Sequence, residues 1–350
     1  MRRVAVTRLQ AISIGVIIII AVIASGSYFL LAPKPQQLQT IRFGVLPYSD
    51  FVVVQLGVEK GFFAEEGVNV TVVKGFPNAP AIYQAMMAGT IDVSAQPLNP
   101  AFITTNEQGG DFRAIASSTA FLGGSEEKSM SAFVIRRDLW DKGIRDISQM
   151  KGMKIGSVYA GSAQDWFLSL YVKQAGLKRE DFQIIHMGDP KDLVDSLIAG
   201  HLDGLNTPNE PWMTLAIKRG AMPLKYTWTL LPKGMEVQFT CVVIRESFYK
   251  KHPDLVKAFL RGWVKTLGYY MRYAWTPSPQ RDEIARIMAN FTGLPLENVL
   301  ETRWPYYPPD GAITWEGLSM YFDDCLERGL IKKKPTPDEI FIEGVTLLRR

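Results

Sequence analysis

The sequence predicts an α/β protein of two lobes, each a mostly parallel sheet flanked by helices, and three observations carry that prediction. The first is an internal repeat: Gly44 and Gly156 lie 112 positions apart, Gly89 and Gly200 lie 111 apart, and each pair marks the same place in a repeated unit. The second is the content of that unit. Ile41-Arg42-Phe43-Gly44-Val45, Gly67-Val68-Asn69-Val70-Thr71-Val72-Val73 and Ala88-Gly89-Thr90-Ile91-Asp92 are matched by Met153-Lys154-Ile155-Gly156-Ser157, Phe182-Gln183-Ile184-Ile185 and Ala199-Gly200-His201-Leu202-Asp203, with helical runs between. The third is length, since 350 residues exceed one ordinary core. Parallel strands joined by helices leave loops and helix N-termini at the carboxyl edge of the sheet, so two such units face a ligand between them.

Taken in order, the chain opens with Arg2, Arg3 and Arg8 and then an uncharged, mostly apolar stretch over 11–32, long enough to cross a bilayer. The preferred reading is an uncleaved anchor with the arginines on the cytoplasmic side; the alternative is a cleaved export signal ending near Ala24-Ser25-Gly26. Either places the rest of the chain outside the cytoplasm, beyond a linker at 33–40. Residues 1–40 also hold Lys34 and no acid, and setting those four bases aside from 39 leaves 35, equal to the 35 acids. The remainder is neutral, and nothing in that balance suggests a nucleic-acid partner.

A strand over 41–46 is followed by Pro47-Tyr48-Ser49-Asp50, whose Ser49 or Asp50 can cap a helix over 51–66 that closes at Gly67. Two stretches are read as crossings between the lobes: Ser131-Ala132-Phe133-Val134-Ile135-Arg136 outward, and Val237-Gln238-Phe239-Thr240-Cys241-Val242-Val243-Ile244 on the return. Lobe one is then 41–132 plus 239–350, and lobe two 133–238. Cys241 and Cys325 are the only cysteines, either one disulfide or two buried thiols. His186, His201 and His252 lack ligand spacing, and no nucleophile elbow, phosphate loop or zinc-protease motif occurs. Neither a metal nor a cofactor is expected.

The run Gly57-Val58-Glu59-Lys60-Gly61-Phe62-Phe63-Ala64-Glu65-Glu66-Gly67-Val68-Asn69-Val70 resembles a stretch of ABC-importer substrate-binding proteins of the nitrate, sulfonate, taurine and pyrimidine-precursor group. Ala88-Gly89-Thr90-Ile91-Asp92-Val93, Asp146-Ile147-Ser148-Gln149-Met150-Lys151-Gly152-Met153-Lys154-Ile155-Gly156 and Lys251-His252-Pro253-Asp254-Leu255-Val256-Lys257-Ala258-Phe259-Leu260 resemble the same group in the same order. Beyond Asn290 the resemblance lapses, and the tail 291–350 has no assigned role. The resemblance implies a type II periplasmic-binding fold whose lobes close on a small-molecule ligand about a hinge. It also implies an ABC permease and an ATPase, encoded separately, as partners. An enzyme on the same fold, such as a pyrimidine-precursor synthase or menaquinone-pathway lyase, is the rival reading, and a sensory ectodomain is a third.

Ligand contacts are expected at the carboxyl ends of strands. In lobe one these are Tyr48, Ser49 and Asp50, then Ser94 and Gln96 with Asn99 beyond, and Ser118 between Ser117 and Thr119. In lobe two, Gly161, Ser162, Ala163 and Trp166 open a helix whose free N–H groups suit an anionic or polar oxygen, though Asp165 in its first turn competes with a bound anion. Asn206, Asn209, Glu210 and Trp212 complete the set: Glu210 to accept from an amine or ring N–H, and Trp212 to stack on a flat ligand. No Lys or Arg lies in these loops, so an organic solute with mixed polar and flat apolar surface is expected.

Overall fold

The computed structural model describes residues 38–46, 48–76 and 78–349. The apolar stretch 11–32, read as an anchor or signal, lies outside the described residues, among which no helix is long and apolar enough to cross a membrane.

Two five-stranded sheets organise the chain. The first has the order Val68–Val73, Gln39–Gly44, Val93–Gln96, Cys241–Arg245, Phe112–Ser117, and only Cys241–Arg245 runs against the others. The second has the order Met222–Tyr226, Ala132–Ile135, Gly204–Asn206, Lys154–Ser157, Gln183–His186, and only Ala132–Ile135 is reversed. In each sheet the reversed strand is the one that arrives from the other. Between the sheets, Ala120–Leu122 and Glu236–Gln238 pair antiparallel as a two-stranded ribbon through which the chain passes both ways.

The internal repeat has a physical basis. A Cβ on Gly44 would sit 2.6 Å from Ile91 Cδ1, and one on Gly156 would sit 2.6 Å from Leu202 Cδ1, so each glycine admits the apolar residue that precedes the motif aspartate. That aspartate then hooks back: Asp92 accepts from the Arg42 N–H at 2.8 Å, and Asp203 accepts from the Lys154 N–H at 2.9 Å. Gly89 and Gly200 precede it at φ +70° and +82°, a conformation that disfavours side chains.

The helix expected over 51–66 is shorter, Val52–Glu59, with a separate turn Ala64–Glu66. Gly61 at φ +75° breaks it, and the break swings Phe63 into the core, where it stacks on Phe259 at 5.2 Å. Gly57 and Gly262 make room for that ring, each with a hypothetical Cβ less than 3 Å from it. The long helix Pro253–Tyr273 thereby packs on Val52–Glu59, and its Trp263 stacks on Phe43 at 5.8 Å. Burial of such rings contributes about 2–3 kcal/mol each.

The tail fastens the hinge. Leu348–Arg349 pairs with Ile313–Thr314, and Arg349 reaches Glu236 of the ribbon at 2.7 Å, while Tyr306 donates to the same carboxylate at 2.5 Å. Helix Trp315–Glu327 lies on the ribbon as well as against the helix Ala163–Gln174, so the tail touches both lobes. Gly317 faces the ribbon backbone, and an added Cβ would meet Glu236 O at 2.6 Å. Gly317→Ala is therefore expected to lower stability by about 1–3 kcal/mol. A thermal melt indistinguishable from wild type would show that the helix seats itself elsewhere. Of the two alternatives for the cysteines, the structure has the thiols: Cys241 and Cys325 are both free and buried.

Candidate functional site

A cavity of about 220 Å³ lies where the carboxyl ends of the two sheets meet. From the first sheet come Leu46, Tyr48, Asp50, Phe51 and Pro97; from the second come Val158, Tyr159, Ala163, Gln164, Asn209, Glu210 and Trp212; Phe239 and Thr240 contribute from the return crossing. A wider depression of about 720 Å³, bounded by Trp275, Arg281, Arg303 and Trp304 among others, shares none of these residues. The smaller cavity is the candidate site because both sheets build it from the loops where this topology gathers ligands.

Asp50 sits in the turn Ser49–Phe51, and Tyr307 holds that turn by donating to the Ser49 and Asp50 carbonyls at 3.3 and 3.2 Å. Its carboxylate is 4% exposed, receives the Asn209 amide at 3.4 Å on one oxygen, and has no partner on the other. Burial pushes Asp50 up to about 7; the Asn209 hydrogen bond opposes this and the neighbouring Glu210 reinforces it. Glu210, 2% exposed, is also pushed to about 7 by burial, against the pull of its hydrogen bonds. Those bonds come from Thr214 N–H at 3.0 Å, Thr214 Oγ1 at 2.8 Å and the Arg303 N–H at 3.1 Å. Ser49 Oγ donates to the Glu210 carbonyl at 3.4 Å, so the lobes touch across the site. Neither Asp50 nor Glu210 has an ion-pair partner among the described residues, and no Lys, Arg or His among them lines the cavity.

Tyr48, Asp50, Ala163, Asn209, Glu210 and Trp212 thus lie together on the wall, and the other expected residues lie behind it. Ser49 bridges the lobes; Ser94 donates to the Gly44 carbonyl at 2.8 Å and accepts from Gln96; Asn206 donates to the Gln164 carbonyl. Ser118 is fully buried, and Trp166 packs edge-on to Tyr321 in the core. Asn99 caps its own helix through the Phe102 N–H and reaches the Tyr159 hydroxyl at 3.3 Å.

Gly161 and Ser162 are occupied by the chain itself. The helix Ala163–Gln174 is capped by Ser162 Oγ, which accepts from the Asp165 N–H at 3.1 Å, and the Asp165 carboxylate accepts from the Gly161 N–H at 3.0 Å. Asp165 is wholly buried and bonds Arg179 at 2.8 Å, His186 at 3.1 Å and Arg328 of the tail. Burial pushes its pKa up, yet the two guanidiniums and the Gly161 N–H outweigh that and hold it at about 2. The first turn of this helix therefore carries a carboxylate of its own, bonded to the Gly161 N–H just before it.

Four of the wall residues that sequence reasoning passed over follow one pattern. Asn78 and Ala79 follow the strand Val68–Val73, and Gly188 and Pro190 follow Gln183–His186, the second strand of each unit. Applying the carboxyl-end rule to every strand would have found them. Among the described residues no group of three His, Cys, Asp or Glu is arranged to hold a metal ion.

A family model described as the NMT1-like family matches residues 34–289. A protein of Brucella abortus named as a binding protein is 27% identical over 164 residues, 47% of this chain and 46% of that protein, so the chain spans about half the length of the curated relatives it matches. The ligand-binding component of an ABC-type import system from Staphylococcus aureus, solved with zinc bound, superposes with a TM-score of 0.69 at 18% identity, over 88% of this chain and 97% of that one. The periplasmic aliphatic sulphonate binding protein SsuA of Escherichia coli gives 0.68 at 18% identity, over 89% and 94%. These two share the two-sheet binding-protein fold that the sequence resemblance implies. On the strength of the family match, which spans most of its length, the chain belongs to the NMT1-like family.

Proposed function

We propose that this chain is the extracytoplasmic solute-binding component of an ABC importer, trapping a small organic solute between its lobes and presenting the closed form to a separately encoded permease and ATPase. One observation carries the reading: a single 220 Å³ cavity is walled by strand-end loops of both sheets, and those sheets are joined by a two-stranded ribbon suited to hinge bending. The stretch 11–32 is read as the tether that keeps the chain at the membrane. Capture leaves the solute chemically unchanged, and the apolar share of the wall, Leu46, Phe51, Val158 and Phe239, suits retention by desolvation.

A thermal-shift screen of sulfonates, carboxylates, amines and heterocycles tests this. A solute at a hundredfold excess over its Kd is expected to stabilise the protein by about 2.7 kcal/mol. Small-angle scattering with the hit is expected to show a more compact particle. Conversion of the hit to a new compound would replace capture by catalysis, and a screen in which no solute shifts the melt would remove the reading altogether.

A further inference from the structure

Resting on the capture reading, we propose that the cleft selects a compact organic cation, an ammonium or amidinium on a flat apolar body, whose N–H groups bond Asp50. Asp50 lines the cavity, and one of its carboxylate oxygens is buried and partnerless; an acceptor left so costs free energy until a donor reaches it. The second acid on the same wall, Glu210, has its oxygens bonded by Thr214 and Arg303, which leaves Asp50 as the open contact and Glu210 as a second acid beside it.

Charge balance points the same way. No basic side chain among the described residues faces the cavity, so two acids meet the guest without a counter-charge. A buried charge is tolerated when paired, and a cation supplies the pair. Asp165 in the first turn of Ala163–Gln174 sets a carboxylate beside that helix N-terminus and bonds the preceding Gly161 N–H, with Arg179 and Arg328 neutralising it. Trp212 on the wall provides the flat surface for the body of the guest.

Four probes of one shape and three charges test the inference by calorimetry: benzylammonium, benzamidinium, benzyl alcohol and benzenesulfonate. Both cations are expected to bind roughly thirtyfold or more tighter than the alcohol, and the sulfonate more weakly than the alcohol. Asp50→Asn, checked for an intact fold by circular dichroism, is expected to bring benzylammonium to within about threefold of benzyl alcohol. Tighter binding of the sulfonate or the alcohol overturns the charge preference while leaving capture intact. A cation preference that survives Asp50→Asn overturns the role of Asp50. Silence from all four probes overturns the inference on its own, because the wider thermal-shift screen judges capture separately.

Discussion

Asp50→Asn is expected to stabilise the solute-free protein by about 1–3 kcal/mol at pH 8, with the gain vanishing toward pH 4. The sign follows from the direction of the shift. Burial raises the Asp50 carboxyl from 3.8 to about 7 in the fold, so the folded state holds its proton where the unfolded chain has released it. The stability this contributes is complete below the unfolded value and is lost as pH rises through about 7. Above that, the wild type carries a buried carboxylate with one partnerless oxygen, whereas the amide variant carries none. Glu210 acts in the same sense, and the remaining titratable neighbours, Tyr270 and Tyr307, stay neutral because burial raises them well above 10. Denaturant melts from pH 4 to pH 8 on both proteins measure the difference. Equal stability across that window, or a less stable variant at pH 8, would remove the desolvated acid from the account. A residue that weakens its own fold above neutral pH is what a site built to be completed by a ligand contains.

How far the sequence reveals this site depends on whether the determining contacts are local. Gly44 with Ile91 and Gly156 with Leu202 are legible because the repeat writes each contact twice, and the hooks of Asp92 and Asp203 accompany them. Asp50 is legible because it follows the first strand, as Asn209, Glu210 and Trp212 follow the strand Gly204–Asn206. Ser162 shows the limit. Its position at a helix start and its cap to the Asp165 N–H three residues on are local, but the arginines that neutralise Asp165 come from 14 and 163 residues away. Nothing near Ser162 announces Arg328. The tail is opaque for the same reason: Tyr306, Tyr307 and Arg349 matter through partners at Glu236, Ser49 and Asp50 that only the fold brings together.

Removing Asp165 is expected to have the largest effect on stability of any substitution considered. Its carboxylate is the shared partner of Arg179, within the same lobe, and of Arg328, which the tail sends across, while His186 and the Gly161 N–H complete its coordination. Asp165→Ala leaves two guanidiniums facing each other around a missing charge, with Arg179 18% and Arg328 16% exposed, and the expected loss is about 3–5 kcal/mol. Asp324 retains Arg328 at 3.0 Å and so softens the loss without replacing the link between lobe and tail. The pH signature is opposite to that of Asp50. The Asp165 pKa is depressed to about 2, so its contribution is present above the unfolded value near 4 and disappears as pH falls through 2. Urea melts at pH 7 measure the loss. The double variant Asp165→Asn with Arg328→Met separates the tail's pair from the fold, because an apolar side chain beside a neutral amide removes the charge of Arg328 while Arg179 keeps its bonds to the Asp165 carbonyl and Ser169, and it is expected to recover part of the stability. If Asp165→Ala unfolds at the same urea concentration as wild type, the cluster is ornamental and the tail is held by its other contacts, among them Arg349 and Tyr306 to Glu236 and Tyr307 to Ser49 and Asp50.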